Sequence, residues 1–152
     1  MMSGVTTKAF EVRILRPGDL SIMHRVAEGV FDNAFDPSLV DEFFSDARHH
    51  LAAAIADGEV IGFASGVHYI HPDKPAELWI NEVAVASKHQ GRGVGNAVVR
   101  ALLEHGRSLG CREAWVLTDR TNHAAMRLYA SAGGREAPGE TVMFEFDLKK
   151  AL

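Results

Sequence analysis

The stretch from Asn81 to Asn96 constrains this chain more than any other. It begins as a short apolar run carrying Glu82, which reads as a strand, and passes through a turn rich in glycine and basic residues into a helix start. Glycines at 91, 93 and 95 leave the backbone N–H groups of the turn uncovered by side chains. Such groups at a helix N-terminus, backed by the helix dipole, bind phosphate. Val94, Val98, Ala101, Leu102 and Leu109 then recur at helical spacing, and Gly110 stands where a helix-ending glycine belongs. The stretch therefore predicts a phosphate-bearing cofactor held a few residues beyond a strand that presents a carboxylate.

The glycine spacing separates this loop from two commoner phosphate binders. No Gly-Lys-Ser/Thr follows, so it is not a P-loop. Nor is the spacing the G-x-G-x-x-G of a dinucleotide fold. A plain strand-to-helix turn would also use such glycines, and the rest of the chain decides between the two readings.

At 152 residues, 47% apolar and 24% charged, the chain fits one soluble domain, residues 1–152, with a substantial core. Low-complexity stretches, repeats and linker-like runs are absent from the sequence. Its apolar runs are short and broken, which excludes a transmembrane helix, and Met1 to Phe10 lack the apolar core of a signal peptide. A single cysteine, Cys111, rules out an intramolecular disulfide and fits a reducing, cytoplasmic location. The net charge of −4 argues against nucleic acid as the main partner and is compatible with a cationic small molecule. His49-His50 and His68-x-x-His71 lack a third ligand at recognisable spacing, so no metal site is expected.

Phe10 to Leu15 reads as a first strand. A helix is expected through Ile22, Met23, Val26 and Val30, with Asp19 as its cap. Asp36-Pro37 starts a second helix, whose apolar face is Val40, Phe43, Phe44 and Ala47. Leu51–Ala56 and Val60–Val67 form a hairpin around Asp57-Gly58. Strands follow at Glu77–Ala86 and Arg112–Thr118, and a short helix capped by Thr121 or Asn122 ends at Gly133-Gly134. Finally, Val142, Phe144, Phe146 and Leu148 alternate with Thr141, Met143, Glu145 and Asp147, the pattern of a half-buried closing strand. This order predicts an α/β (α+β) domain with a mostly antiparallel central sheet and helices on both faces.

Gln90-x-x-Gly93-x-Gly95 resembles the acyl-CoA pyrophosphate loop of the GNAT superfamily of N-acetyltransferases. The element order is similar to the GNAT fold over roughly residues 10 to 148. Glu77 to Val85, Thr118-Asp119, Leu128-Tyr129 and Met143 to Asp147 are most similar to the aminoglycoside 3-N-acetyltransferases of that superfamily. The resemblance implies acetyl-CoA as cofactor, with coenzyme A as product. It also implies main-chain groups of Val83, Ala84 and Val85 on the pantetheine arm and thioester, and Gln90, Gly91, Arg92, Gly93, Val94, Gly95 and Asn96 around the pyrophosphate, with Asn122 near the pantetheine.

The same resemblance implies Glu82 as general base and Tyr129 as proton donor to the departing thiolate. Each position keeps a plainer reading: Glu82 as ammonium binder, Tyr129 as core aromatic, Asn122 as helix cap, Arg92 as solvent-facing charge. Asp32, Asp36, Glu82 and Asp119 are the candidates for gripping a cationic acceptor, though each aspartate could be only a cap or surface charge. Cys111, without an activating neighbour, is not expected to be a nucleophile. The implied reaction is acetylation of an aminoglycoside, at its 3-amine, with antibiotic resistance as the consequence; a homodimer is compatible with it. A polyamine, amino acid or protein amine as acceptor is the first alternative, and a non-catalytic acyl-CoA-binding module the second.

Overall fold

The computed structural model describes residues 9–150; residues 1–8, on which the leader expectation mostly bears, lie outside the described residues. Five strands form one sheet in sequence order: β1 (Glu11–Ile14), β2 (His49–Ala56), β3 (Glu59–Tyr69), β4 (Glu77–Val85) and β5 (Glu113–Val116). Neighbours are antiparallel except β4 and β5, which run parallel. The β2–β3 hairpin closes at Asp57-Gly58, where φ is +52° and +74°. Two consecutive positive φ values define the type I′ turn that Asp-Gly favours.

The helices divide between the two faces. Helix α1 (Pro37–Ser45) starts as expected: Asp36 accepts from the Ser38 N–H at 2.9 Å and proline occupies the first turn. It stops before Ala47, because Asp46 turns the chain by accepting from Arg48. Helix α2 (Val94–Ser108) carries the stripe Val94, Val98, Val99 and Leu102, each at most 2% exposed. Burying such a side chain stabilises by about 1.5–3 kcal/mol, so α2 is fixed on the sheet by packing. Gly110 ends it at φ +88°, with Cys111 N–H donating to the Gly106 carbonyl at 3.0 Å. Helix α3 (His123–Ser131) is capped by Asn122, which accepts from the Ala125 N–H at 3.1 Å.

Two cores result. Leu51, Ala53, Val60 and Phe63 pack beneath α1 on one face. Ala52, Ile61, Leu78 and Ile80 pack beneath α2 on the other.

The structure differs from the sequence reading at three places. The expected first helix is a 3-10 helix, Pro17–His24. Its end releases the chain so that Val26 bridges to Val60 beside the hairpin. Asp19 is not its cap; it sits inside the first turn, and its carboxylate accepts from the Arg16 N–H at 2.9 Å. Thr141–Leu148 forms no strand and stands exposed, with Val142, Phe144, Phe146 and Leu148 at 72–89%. Its alternating pattern meets no sheet partner among the described residues, and β5 keeps an open outer edge.

Candidate active site

Strand β4 changes character at its middle. From Glu77 to Ile80 it pairs with β3 on one side and β5 on the other. Beyond Ile80 the β5 ladder ends, so among the described residues Asn81–Val85 pairs with β3 alone, and its other edge is open up to the Val85 carbonyl, which Gln90 takes. At the same point the register slips: Gly66 pairs with Ile80, but Ser65 pairs with Glu82, leaving Asn81 as the extra residue of a bulge.

That bulge redirects every later side chain. Leu78 and Ile80 face α2, and beyond the bulge Val83 and Val85 face α2 as well. Strict alternation would have sent Glu82 to that face with Leu78 and Ile80. The bulge turns it to the α1 face instead, beside Ser65. Bulges next to functional sites commonly re-aim one side chain in this way.

On the α1 face Glu82 opens into a cavity of about 300 Å³ between the sheet, the loop at residues 31–36 and α1. Asp32 and Asp36 line it with Glu82, and no lysine or arginine does among the described residues. The rest of the lining is largely apolar: Phe31, Phe35, Phe43, Phe63, Met23 and Leu39. Phe31 stacks on Phe63 at 4.4 Å. Asp36 spends its carboxylate on the α1 cap, and those bonds from Ser38 hold its carboxyl below the usual range.

On the other face the glycine turn meets the start of α2. Gly91 and Gly93 have φ of +73° and +80°, and a side chain built on either would meet open space. Gly93 caps α2 without any side-chain bond, and no acidic residue stands in the first turn. Helices α1 and α3 both have side-chain caps; α2 leaves its first amides open. Gly95 lets α3 approach, with Leu128 3.3 Å from where its Cβ would lie. Tyr129, the next residue of α3, packs against the α2-side core. Burial pushes the Tyr129 phenol up, so it keeps its proton at neutral pH.

Several expected site residues have structural duties. Gln90 folds back and donates to the Val85 carbonyl at 3.1 Å, tying the turn to the end of β4. Asn96 donates to Ser131 Oγ at 2.9 Å and accepts from Arg100, so its side chain joins α2 to α3 and only its backbone remains open to a ligand. The Asn122 side-chain oxygen is occupied as the α3 cap. Arg92 is exposed beside the turn. Asp119, exposed after β5, does not line the cavity, so it is not gathered with Asp32, Asp36 and Glu82. The phenylalanines and Ser65 were missed, since nothing in the sequence distinguishes a cavity-lining phenylalanine from a core one.

An open strand edge, a carboxylate turned across the sheet and an uncapped helix N-terminus follow one another along the chain from Asn81 to Asn96. The acetyltransferase (GNAT) family model matches residues 20–133, and the chain belongs to that family. The chain is 31% identical over 104 residues to the N-alpha-acetyltransferase RimI of Mycobacterium tuberculosis, covering 68% of this chain and 63% of that protein. It is 32% identical over 111 residues to a mycothiol acetyltransferase of Pseudarthrobacter chlorophenolicus, covering 72% of this chain and 34% of the relative. The chain thus spans less than two thirds of the length of either relative. Among solved structures, an aminoglycoside acetyltransferase from an uncultured soil metagenomic sample, in complex with sisomicin, superposes with a TM-score of 0.75 at 15% identity, covering 92% and 97% of the two chains. An aminoglycoside N-acetyltransferase in complex with CoA superposes with a TM-score of 0.75 at 20% identity, covering 95% and 98%. At these identities the likeness establishes the GNAT fold.

Proposed function

We propose that this protein transfers an acetyl group from acetyl-CoA to a primary amine, with Glu82 as base and Tyr129 as acid. The observation that carries the reading is the coincidence at Asn81, where the β4–β5 ladder ends and the bulge aims Glu82 into a cavity. The residues fit the donor. The open amides at Val94, Gly95 and Asn96 suit its pyrophosphate, and the edge of Val83–Val85 that β5 leaves unpaired, apart from the Val85 carbonyl held by Gln90, suits its amide-bearing arm. Bound there, acetyl-CoA would supply an acetyl group activated as a thioester.

The acceptor would enter from the α1 face. Most aliphatic amines are protonated at neutral pH and must lose a proton before attack. Glu82 takes that proton directly or through one water, and as a carboxylate it also attracts the ammonium form. On the far side the Tyr129 hydroxyl holds a proton that it can give to the leaving sulfur.

The narrower reading, an aminoglycoside as acceptor, draws support from the fold neighbours and from Asp32, Asp36 and Glu82 at one cavity, while modification at the 3-amine rests on the sequence resemblance alone. The lining weighs against it. Each hydroxyl that lost water against the phenylalanines without a new partner would cost about 1–3 kcal/mol, and an unpaired ammonium more. An amine-dependent release of free CoA thiol, with the acetylated amine seen by mass spectrometry, tests the reading. Tight CoA binding without release on any primary amine would favour the acyl-CoA-binding module instead.

A further inference from the structure

Resting on the reading of Glu82 as the acceptor-side base, we propose that the acceptor is a primary amine borne on an aromatic or branched aliphatic group, with no carboxylate beside the amine. Three features of the cavity lead there. Its walls are supplied by Phe31, Phe35, Phe43 and Phe63, and the polar side chains of the lining are Asn33, Ser65 and the three acidic residues. Its charged residues, Asp32, Asp36 and Glu82, are all acidic. An ammonium group is therefore welcome, while the carboxylate of a free amino acid would meet three like charges and no cation. At about 300 Å³ the space suits one ring or branched chain better than a linked set of sugars.

The probes are 2-phenylethylamine, 3-methylbutylamine, phenylalanine, phenylalanine amide, spermidine, an aminoglycoside and a short peptide beginning with phenylalanine. Two readouts are taken on the full chain: calorimetric binding of each amine in the presence of CoA, and kcat/KM with acetyl-CoA. The apolar amines and phenylalanine amide should exceed spermidine and the aminoglycoside by roughly tenfold or more, the worth of one buried apolar group, and should exceed phenylalanine because its carboxylate meets the acidic lining. Phe35 is 40% exposed, so Phe35→Ser should fold and lose most of that preference. If the peptide outruns 2-phenylethylamine, the source of the amine is a chain terminus; if not, a free amine. Binding of the apolar amines without acetylation of any amine would overturn the transfer reading and this acceptor assignment with it. Acetylation of spermidine or the aminoglycoside with no binding of apolar amines would overturn the proposal and leave the base reading standing.

Discussion

Gly93 and Gly110 stand at opposite ends of α2 in nearly the same conformation, with φ of +80° and +88°, and a Cβ on either would meet nothing within 4 Å. An L-residue held in the left-handed region costs about 1–2 kcal/mol. Gly93→Ala and Gly110→Ala should therefore destabilise the fold by similar amounts, readable as matched shifts in denaturant midpoint. Only Gly93 adjoins the open amides of the α2 N-terminus. There the new methyl occupies the side from which a pyrophosphate would approach. A hydrogen bond to a charged group is worth about 1.5–3 kcal/mol, so losing one should weaken CoA binding roughly 10- to 100-fold. Calorimetric titration with CoA should show that loss for Gly93→Ala and wild-type affinity for Gly110→Ala. Equal CoA affinities in the two variants, with equal destabilisation, would remove the glycine turn from the donor site.

Further outcomes follow from the packing and the ionisable groups. Tyr129→Phe should slow transfer and leave CoA binding unchanged; lost stability with full turnover per folded molecule would make Tyr129 only a core residue. Gly106→Ala would place a Cβ 2.9 Å from Leu78 Cδ2. Overpacking of about 1–3 kcal/mol should outweigh the roughly 1 kcal/mol that alanine adds to a helix, and Leu78→Ala should suppress that cost when combined with it. His50 is buried, bonded to His68 at 2.7 Å and to His105 at 3.0 Å, and burial, reinforced by these neighbours, lowers it from 6.5 to about 4. Between those values the unfolded chain takes up a proton that the folded chain refuses, so stability should fall by about 2–3 kcal/mol as pH drops through that window; in His50→Gln unfolding curves the dependence should flatten.

The elements set by local chemistry were legible in the sequence. Asp57-Gly58 marked the hairpin, Asp36-Pro37 and Asn122 marked helix starts, and the stripe from Val94 to Leu102 marked α2. The bulge was not legible: Trp79 and Ala84 are apolar too, so the run from Glu77 to Ala86 shows no change of face until its pairing with β3 is seen. The phenylalanine lining was not legible, because Phe31 and Phe43 obey the same burial pattern whether they close a core or border a cavity. Alternation in Thr141–Leu148 specified a strand but could not specify the edge it needs, since that depends on tertiary context. The carboxylate of Glu77, 8% exposed and held by Tyr69, His71 and Lys74 at 2.8–3.0 Å, was likewise invisible as a buried site. Those three bonds, with Lys74 and Tyr69 foremost, hold its carboxyl at about 2.

The central claim is that Glu82 removes a proton from the acceptor amine, and the pH–rate profile of Glu82→Gln tests it most directly. Glutamine keeps the size and hydrogen bonding of the side chain but cannot accept the proton. Turnover at neutral pH should fall by about 10²–10⁴, with CoA affinity unchanged. The deficit should narrow as pH rises towards the pKa of the amine, because free amine then needs no base. Wild-type turnover at neutral pH, or a deficit that stays constant as the amine deprotonates, would contradict the assignment.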